Sequence, residues 1–162
     1  KSQQEALLKR LIGRYCSVNI YRPSTVYGPS NNKQREGLIL AIVKNSLQRR
    51  PTRYYAKMDT LRDYVFNLDI ARYVVRRVEQ DLKGVFTTCL ASGKPSTLEE
   101  INKEVTLHIG VKPNIFFGFA AENAANITFS PSAIDKTFEA TSLSTGIGIT
   151  IKHHRTKLFS IF

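Results

Sequence analysis

The chain has 162 residues, 42% of them hydrophobic and 23% charged, and a formal net charge of +11. That size and balance suit one globular domain with a real core, and no run approaches the roughly 20 apolar residues of a membrane helix. The two cysteines, Cys16 and Cys89, and the three histidines, His108, His153 and His154, show neither a Cys-x-x-Cys pair nor any metal-ligand spacing, so no metal site is expected.

Residues 2–13 predict a helix with Ala6, Leu7, Leu8, Leu11 and Ile12 as its apolar stripe and Gly13 as its C-terminal stop. A strand follows over 15–21 and is expected to end at Arg22-Pro23, because proline has no N–H for a ladder. Gly28-Pro29 opens a polar loop, 30–35, in which Asn31, Asn32 and Lys33 are free to reach a ligand or simply to face water. Residues 36–47 predict a second helix, with Ile39, Ile42, Val43 and Leu47 at helical spacing. Short strands are expected at 53–56 and 63–66. Asp69 is expected to cap a third helix whose inner face is Ile70, Val74 and Val78.

Residues 85–90 predict a strand, and 92–95 a turn. Ser96 to Glu99 has the spacing of a capping box and opens a helix with Leu98, Ile101 and Val105 inward. Residues 115–119 fit strand or loop, 127–129 an extended piece, and 132–138 a small helix. A terminal helix is expected over 145–152, although Gly146 and Gly148 weaken it. Alternating strands and helices make the class α/β. Only 16–21 and 85–90 suit a central parallel sheet, so the sheet looks incomplete. Both cysteines fall in apolar runs and are expected to be buried, reduced thiols, which fits a cytoplasmic setting.

The charge admits nucleic acid, an anionic membrane surface or a phosphate-bearing ligand. Its residues are spread along the chain, with local clusters only at 48–50 and 153–155, and no nucleic-acid signature accompanies them. A solvated basic surface is therefore expected, with neither nucleic acid nor membrane as partner.

The stretch Ile20-Tyr21-Arg22-Pro23-Ser24-Thr25-Val26-Tyr27-Gly28-Pro29 places a tight loop at a strand's carboxyl end, where α/β proteins hold ligands. Its wording resembles the R-P-x-x-x-Y-G-P segment of the extended short-chain dehydrogenases, the NAD-dependent nucleotide-sugar epimerases and dehydratases. Leu61-Arg62-Asp63-Tyr64-Val65-Phe66-Asn67-Leu68-Asp69-Ile70-Ala71 is similar to that family's R-D-Y-V-x-V-x-D-x-A segment, at a matching distance. Leu143-Ser144-Thr145-Gly146-Ile147-Gly148-Ile149-Thr150-Ile151 resembles its closing L-x-x-G-I-x-x-T-I helix.

The resemblance covers the whole chain but only the later half of such an enzyme, and no glycine-rich phosphate loop occurs in the 162 residues. It implies that residues 1–162 are one substrate-binding segment of a Rossmann-type enzyme, with the dinucleotide-binding half lying upstream. NAD or NADP belongs to the full-length parent, and this chain alone is expected to bind none and to be inactive.

The resemblance also assigns residues. Lys1-Ser2-Gln3-Gln4-Glu5-Ala6 looks like the second half of the family's Tyr-x-x-x-Lys motif. Lys1 would then be the catalytic lysine, holding the nicotinamide ribose and lowering the pKa of a tyrosine outside this chain. Pro23 and Val26 fall where the family's loop nears the nicotinamide. Thr25 stands where many members have an Asn on the sugar diphosphate, and it offers one donor in place of two. Leu38 matches a position whose backbone meets the nucleotide. Arg62 matches an arginine at the diphosphate, a task suited to a forked, permanently charged donor; the plain alternative is an ion pair with Asp63 or a neighbouring acid. Tyr54 and Tyr55 share a strand beside the nucleotide base, and alternation requires one of them to be core. The implied partners are a UDP- or dTDP-sugar and, through the first helix, a second copy in a homodimer. A non-enzymatic basic module on the same scaffold, binding polyanions, is the alternative.

Overall fold

In the computed structural model, residues 1–12, 15–30, 36–118 and 125–159 are described. The helices are α1 (Ser2–Leu11), α2 (Leu38–Leu47), α3 (Asn67–Glu79), α4 (Leu98–Ile109) and α5 (Leu143–Phe159). The strands are β1 (Val18–Pro23), β2 (Thr25–Tyr27), β3 (Thr52–Tyr54), β4 (Leu61–Arg62), β5 (Tyr64–Phe66), β6 (Val85–Leu90), β7 (Ser96–Thr97) and β8 (Ile115–Phe117). The expected loop residues Asn31, Asn32 and Lys33 and the expected stop Gly13 lie outside the described residues.

The two expected central strands pair as parallel neighbours, β1 with β6, from Val18 opposite Val85 to Pro23 opposite Leu90. α3 lies in the crossover between them. β2 pairs in parallel with β5, β3 in parallel with β8, and β4 antiparallel with β7. The described strands thus form four two-stranded pairs rather than one wide sheet. β1 reaches Pro23, beyond the expected break: as its last residue, proline gives up a single donor, and Ser24 N–H takes over by donating to Leu90 O at 2.9 Å.

β5 is buried on both faces and divides the core. Tyr64 and Phe66 point into a cluster with Tyr27, Ile39, Ile42, Val43, Tyr54, Leu98, Ile101, Val105, Ile147 and Ile151, formed where α2, α4 and α5 pack. Val65, between them, points into a second cluster with Tyr73, Leu90 and Phe138. This is the period-two alternation of a strand with a core on either side.

Several local expectations are corrected. α3 buries Asp69 and Tyr73, whereas Val78 is 69% exposed. Asp69 does not cap its own helix; its carboxylate accepts from Thr141 N–H at 2.7 Å and Thr141 Oγ1 at 2.8 Å, and pairs with Arg72. The capping box sits one residue later than expected: Thr97 Oγ1 accepts from Glu100 N–H, and Glu100 Oε2 accepts from Thr97 N–H. A single 3-10 turn, Pro131–Ala133, replaces the expected small helix. Cys16 is exposed and Cys89 half-buried.

α5 runs through both of its glycines, and each has a packing reason. A Cβ at Gly146 would meet Tyr27 Oη at 2.1 Å, and one at Gly148 would meet His108 Cε1 at 2.9 Å. The residues that weaken the helix on propensity are those over which other side chains must lie. None of the described helices is long and apolar enough to cross a membrane.

Candidate functional site

The site is built around Asp63. This carboxylate has no exposed surface and accepts four hydrogen bonds: at Oδ1 from Ser24 Oγ (2.7 Å) and Ser92 N–H (2.9 Å), and at Oδ2 from Ser92 Oγ (2.9 Å) and Gly93 N–H (2.8 Å). A buried carboxylate needs such a donor set to stay charged. It ties together the exit of β1, the joint between β4 and β5, and the turn after β6. With its acceptor positions filled by these donors, Asp63 does not need Arg62 for satisfaction, and successive strand residues point to opposite faces.

That clasp sets the positions of the sequence-predicted residues. Thr25 lies opposite Tyr64 in the β2–β5 register, and its N–H donates to Asp63 O at 3.2 Å. Arg62, one residue before Asp63, is half-buried on β4, opposite Ser96 and bridged to Ile127. Pro23 and Val26 are exposed at the carboxyl end of β1 and on β2. Leu38 is the first residue of α2; Gly37 before it stands close to β2, where an added Cβ would lie 3.5 Å from Val26 O. Thr25, Val26, Leu38 and Arg62 thus come from three separate segments gathered beside the end of β1.

Lys1 is the exposed N-cap of α1. One turn on, Glu5 Oε1 accepts from Arg22 Nε at 3.2 Å, and the two side chains form an ion pair. The hydrogen bond from Arg22 holds the Glu5 carboxyl below its ordinary range. This contact brings the start of α1 to the same strand exit.

Tyr54 is corrected. It has no exposed surface, and its hydroxyl donates to Asn102 Oδ1 on α4 at 2.5 Å. Alternation makes it the core tyrosine and leaves Tyr55, 46% exposed just past the end of β3, as the aromatic available there. The Tyr55 ring passes over Gly118, where an added Cβ would meet its Cε1 at 2.8 Å.

A cleft of about 440 Å³ adjoins these residues, lined among others by Tyr64, Ser92, Lys94, Ser96, Thr141 and Ser142. Ser96 is the strand partner of Arg62. Burial pushes the Tyr64 hydroxyl up to about 12, with the nearby Arg62 charge acting against that rise. Lys94 went unnoticed in the sequence, although the turn Ser92-Gly93-Lys94 directly after a strand was the available signal.

A family model described as the NAD dependent epimerase/dehydratase family matches residues 1–87. The chain belongs to that family. Among solved structures of similar fold, UDP-N-acetylglucosamine 4-epimerase from Methanobrevibacter ruminantium, in complex with UDP-N-acetylmuramic acid, matches with a TM-score of 0.79 and 18% identity over 96% of this chain and 52% of that one. UDP-glucose 4-epimerase from Thermotoga maritima, with UDP-glucose, matches with a TM-score of 0.76 and 20% identity, over 98% and 52%. MoeE5, in complex with UDP-glucose and NAD, gives 0.76 and 22%, over 88% and 48%. At these identities the likeness establishes a Rossmann-type epimerase fold, and this chain spans about half the length of those epimerase-family structures. Among the described residues of this family member, no group of His, Cys, Asp and Glu is arranged to hold a metal ion.

Proposed function

We propose that these residues form the substrate side of a nucleotide-sugar epimerase or dehydratase. The observation that carries this is the meeting of Thr25 and Arg62 across the Asp63 clasp, beside the carboxyl end of β1. Arg62 supplies a charged fork for a diphosphate, and the Thr25 hydroxyl one further donor. Leu38 opens α2, whose first N–H groups have no partner within the helix and favour an anion. Tyr55 offers its face to a nucleobase in place of the buried Tyr54.

A nicotinamide coenzyme, when bound, supplies hydride acceptance in this class of reaction. The fit on this chain is partial: Pro23 and Val26 expose apolar surface at the strand end, and Lys1 stands at the start of the tethered helix. In the proposed enzyme the Lys1 ammonium orients the nicotinamide ribose and, by its charge, lowers the pKa of a catalytic tyrosine. Neither that tyrosine nor a glycine-rich loop is among these 162 residues. We therefore expect these residues alone to bind substrate without turning it over, and no catalytic step is assigned to them. Leu7, Leu8, Leu11 and Ile12 on α1 are all exposed, and we assign this stripe to a homodimer contact with a second copy.

The test is thermal unfolding with UDP-glucose or dTDP-glucose. A ligand that binds only the folded state adds about 2.7 kcal/mol at a hundredfold excess over its Kd, so the Tm should rise, and Arg62→Gln should remove most of the rise. If neither sugar nucleotide raises the Tm, or Arg62→Gln leaves the rise intact, the proposal fails. A rise with RNA alone would favour the polyanion-binding module.

A further inference from the structure

A groove between the end of α4 and the second half of α5 shares no lining residue with the cleft beside Tyr64 and Lys94. It measures about 430 Å³ and is lined by His108, Gly148, Ile151, Lys152, Arg155 and Thr156. Ser144, Gly148, Lys152 and Arg155 recur at helical spacing on α5 and so share one face. His108, in the last turn of α4, lies over that face. Its Nε2 is 3.2 Å from Ser144 Oγ, and its Cε1 is the atom that a Cβ at Gly148 would meet at 2.9 Å. The imidazole therefore lies against bare helix backbone. Nε2 is engaged with Ser144, one turn before Gly148, and Nδ1 makes no hydrogen bond among the described residues.

Lys152 and Arg155 are exposed, and neither has an acidic partner among the described residues. The sequence contains no Asp or Glu after Glu139. Complementing a helix dipole accounts for basic residues in a last turn. It does not account for a concavity or for an imidazole seated on a glycine. Lys152 and Arg155, unneutralised cations on one face of α5, repel one another and are relieved by a multivalent anion. A tetrahedral phosphate can accept from an ammonium, a guanidinium fork and an imidazole N–H at once.

We propose that this groove is a phosphoryl-anion site in which His108, Lys152 and Arg155 together hold the phosphate group of a phosphomonoester. Histidine ring NMR of the whole chain tests it, with inorganic phosphate titrated against chloride at constant ionic strength and His108→Gln supplying the assignment. The His108 signals should move along a saturable curve. A Lys152→Gln/Arg155→Gln double variant should weaken binding at least tenfold, while Arg62→Gln leaves it unchanged. Gly148→Ala should weaken it as well without removing a charge, by swinging the His108 ring off the helix. A second arm uses phosphatidylcholine vesicles with and without phosphatidic acid. Saturation by inorganic phosphate assigns a soluble source, and a response only to phosphatidic acid assigns a lipid headgroup; either supports the site. No saturable His108 response in either arm overturns it, as does a response that survives the double variant.

Discussion

Asp63 and Gly146 show how one atom's surroundings decide a local structure. Gly146 lets α5 pass the tip of Tyr27, whose hydroxyl is buried with no hydrogen-bond partner among the described residues. Gly146→Ala forces that ring or the helix aside, and urea unfolding should show a loss of about 2 kcal/mol, the usual scale of overpacking. Tyr27→Phe removes an unsatisfied hydroxyl and should be close to neutral. In the Tyr27→Phe background the alanine should cost less; equal costs in both backgrounds would show that the clash is not with the hydroxyl. Arg62 and Thr25 could be proposed from the sequence because each stands in a motif with a fixed neighbourhood. The role of Asp63 was not, because its donors come from residues 24, 92 and 93, and no local pattern joins them.

At the scale of elements, each described α-helix was expected, but the helix expected at 132–138 is a 3-10 turn and the inner face of α3 was only partly right. In α3 the aliphatic residues Leu68, Val75 and Val78 are exposed, while Asp69 and Tyr73 face inward. Tyr73 earns its burial by packing edge-on against Tyr21 and Phe138, with its hydroxyl on Asp135 Oδ2 at 3.0 Å. Partners of that kind are distant in sequence, so side-chain type misleads. α5 was expected over 145–152 and runs over Leu143–Phe159; the glycines inside the expected span were judged by propensity, without the side chains that cross them. α1 gives the cleanest test at this scale, since it buries no residue at all. If the proposed homodimer forms through α1, Leu11→Glu should shift sedimentation from dimer to monomer while helix content in far-UV circular dichroism stays unchanged. An unaltered dimer would remove α1 from the contact.

For the molecule as a whole, the α/β class and the parallel β1–β6 pair were legible, and the division of the core by β5 was not, because its three residues are buried on both sides. That division has a signature in pH. Burial raises the hydroxyls of Tyr27, Tyr54 and Tyr64 together, and Tyr64 moves from 10.0 to about 12. A group whose folded pKa is raised contributes stability that is fully present below the unfolded value, so this contribution is intact below pH 10 and lost as pH climbs toward 12 and beyond. Tyrosinate absorbance from these three residues should appear in the same step as loss of helical circular dichroism. Ionisation of these three near pH 10 in a still-folded protein would contradict it. The tether at the other end of the molecule behaves differently. The Arg22 side chain is 57% exposed and that of Glu5 19%, so their attraction runs largely through water, and dissolved ions weaken it. How firmly the lysine-bearing tip of the first helix is moored to the strand exit is thus a setting that the surrounding electrolyte controls.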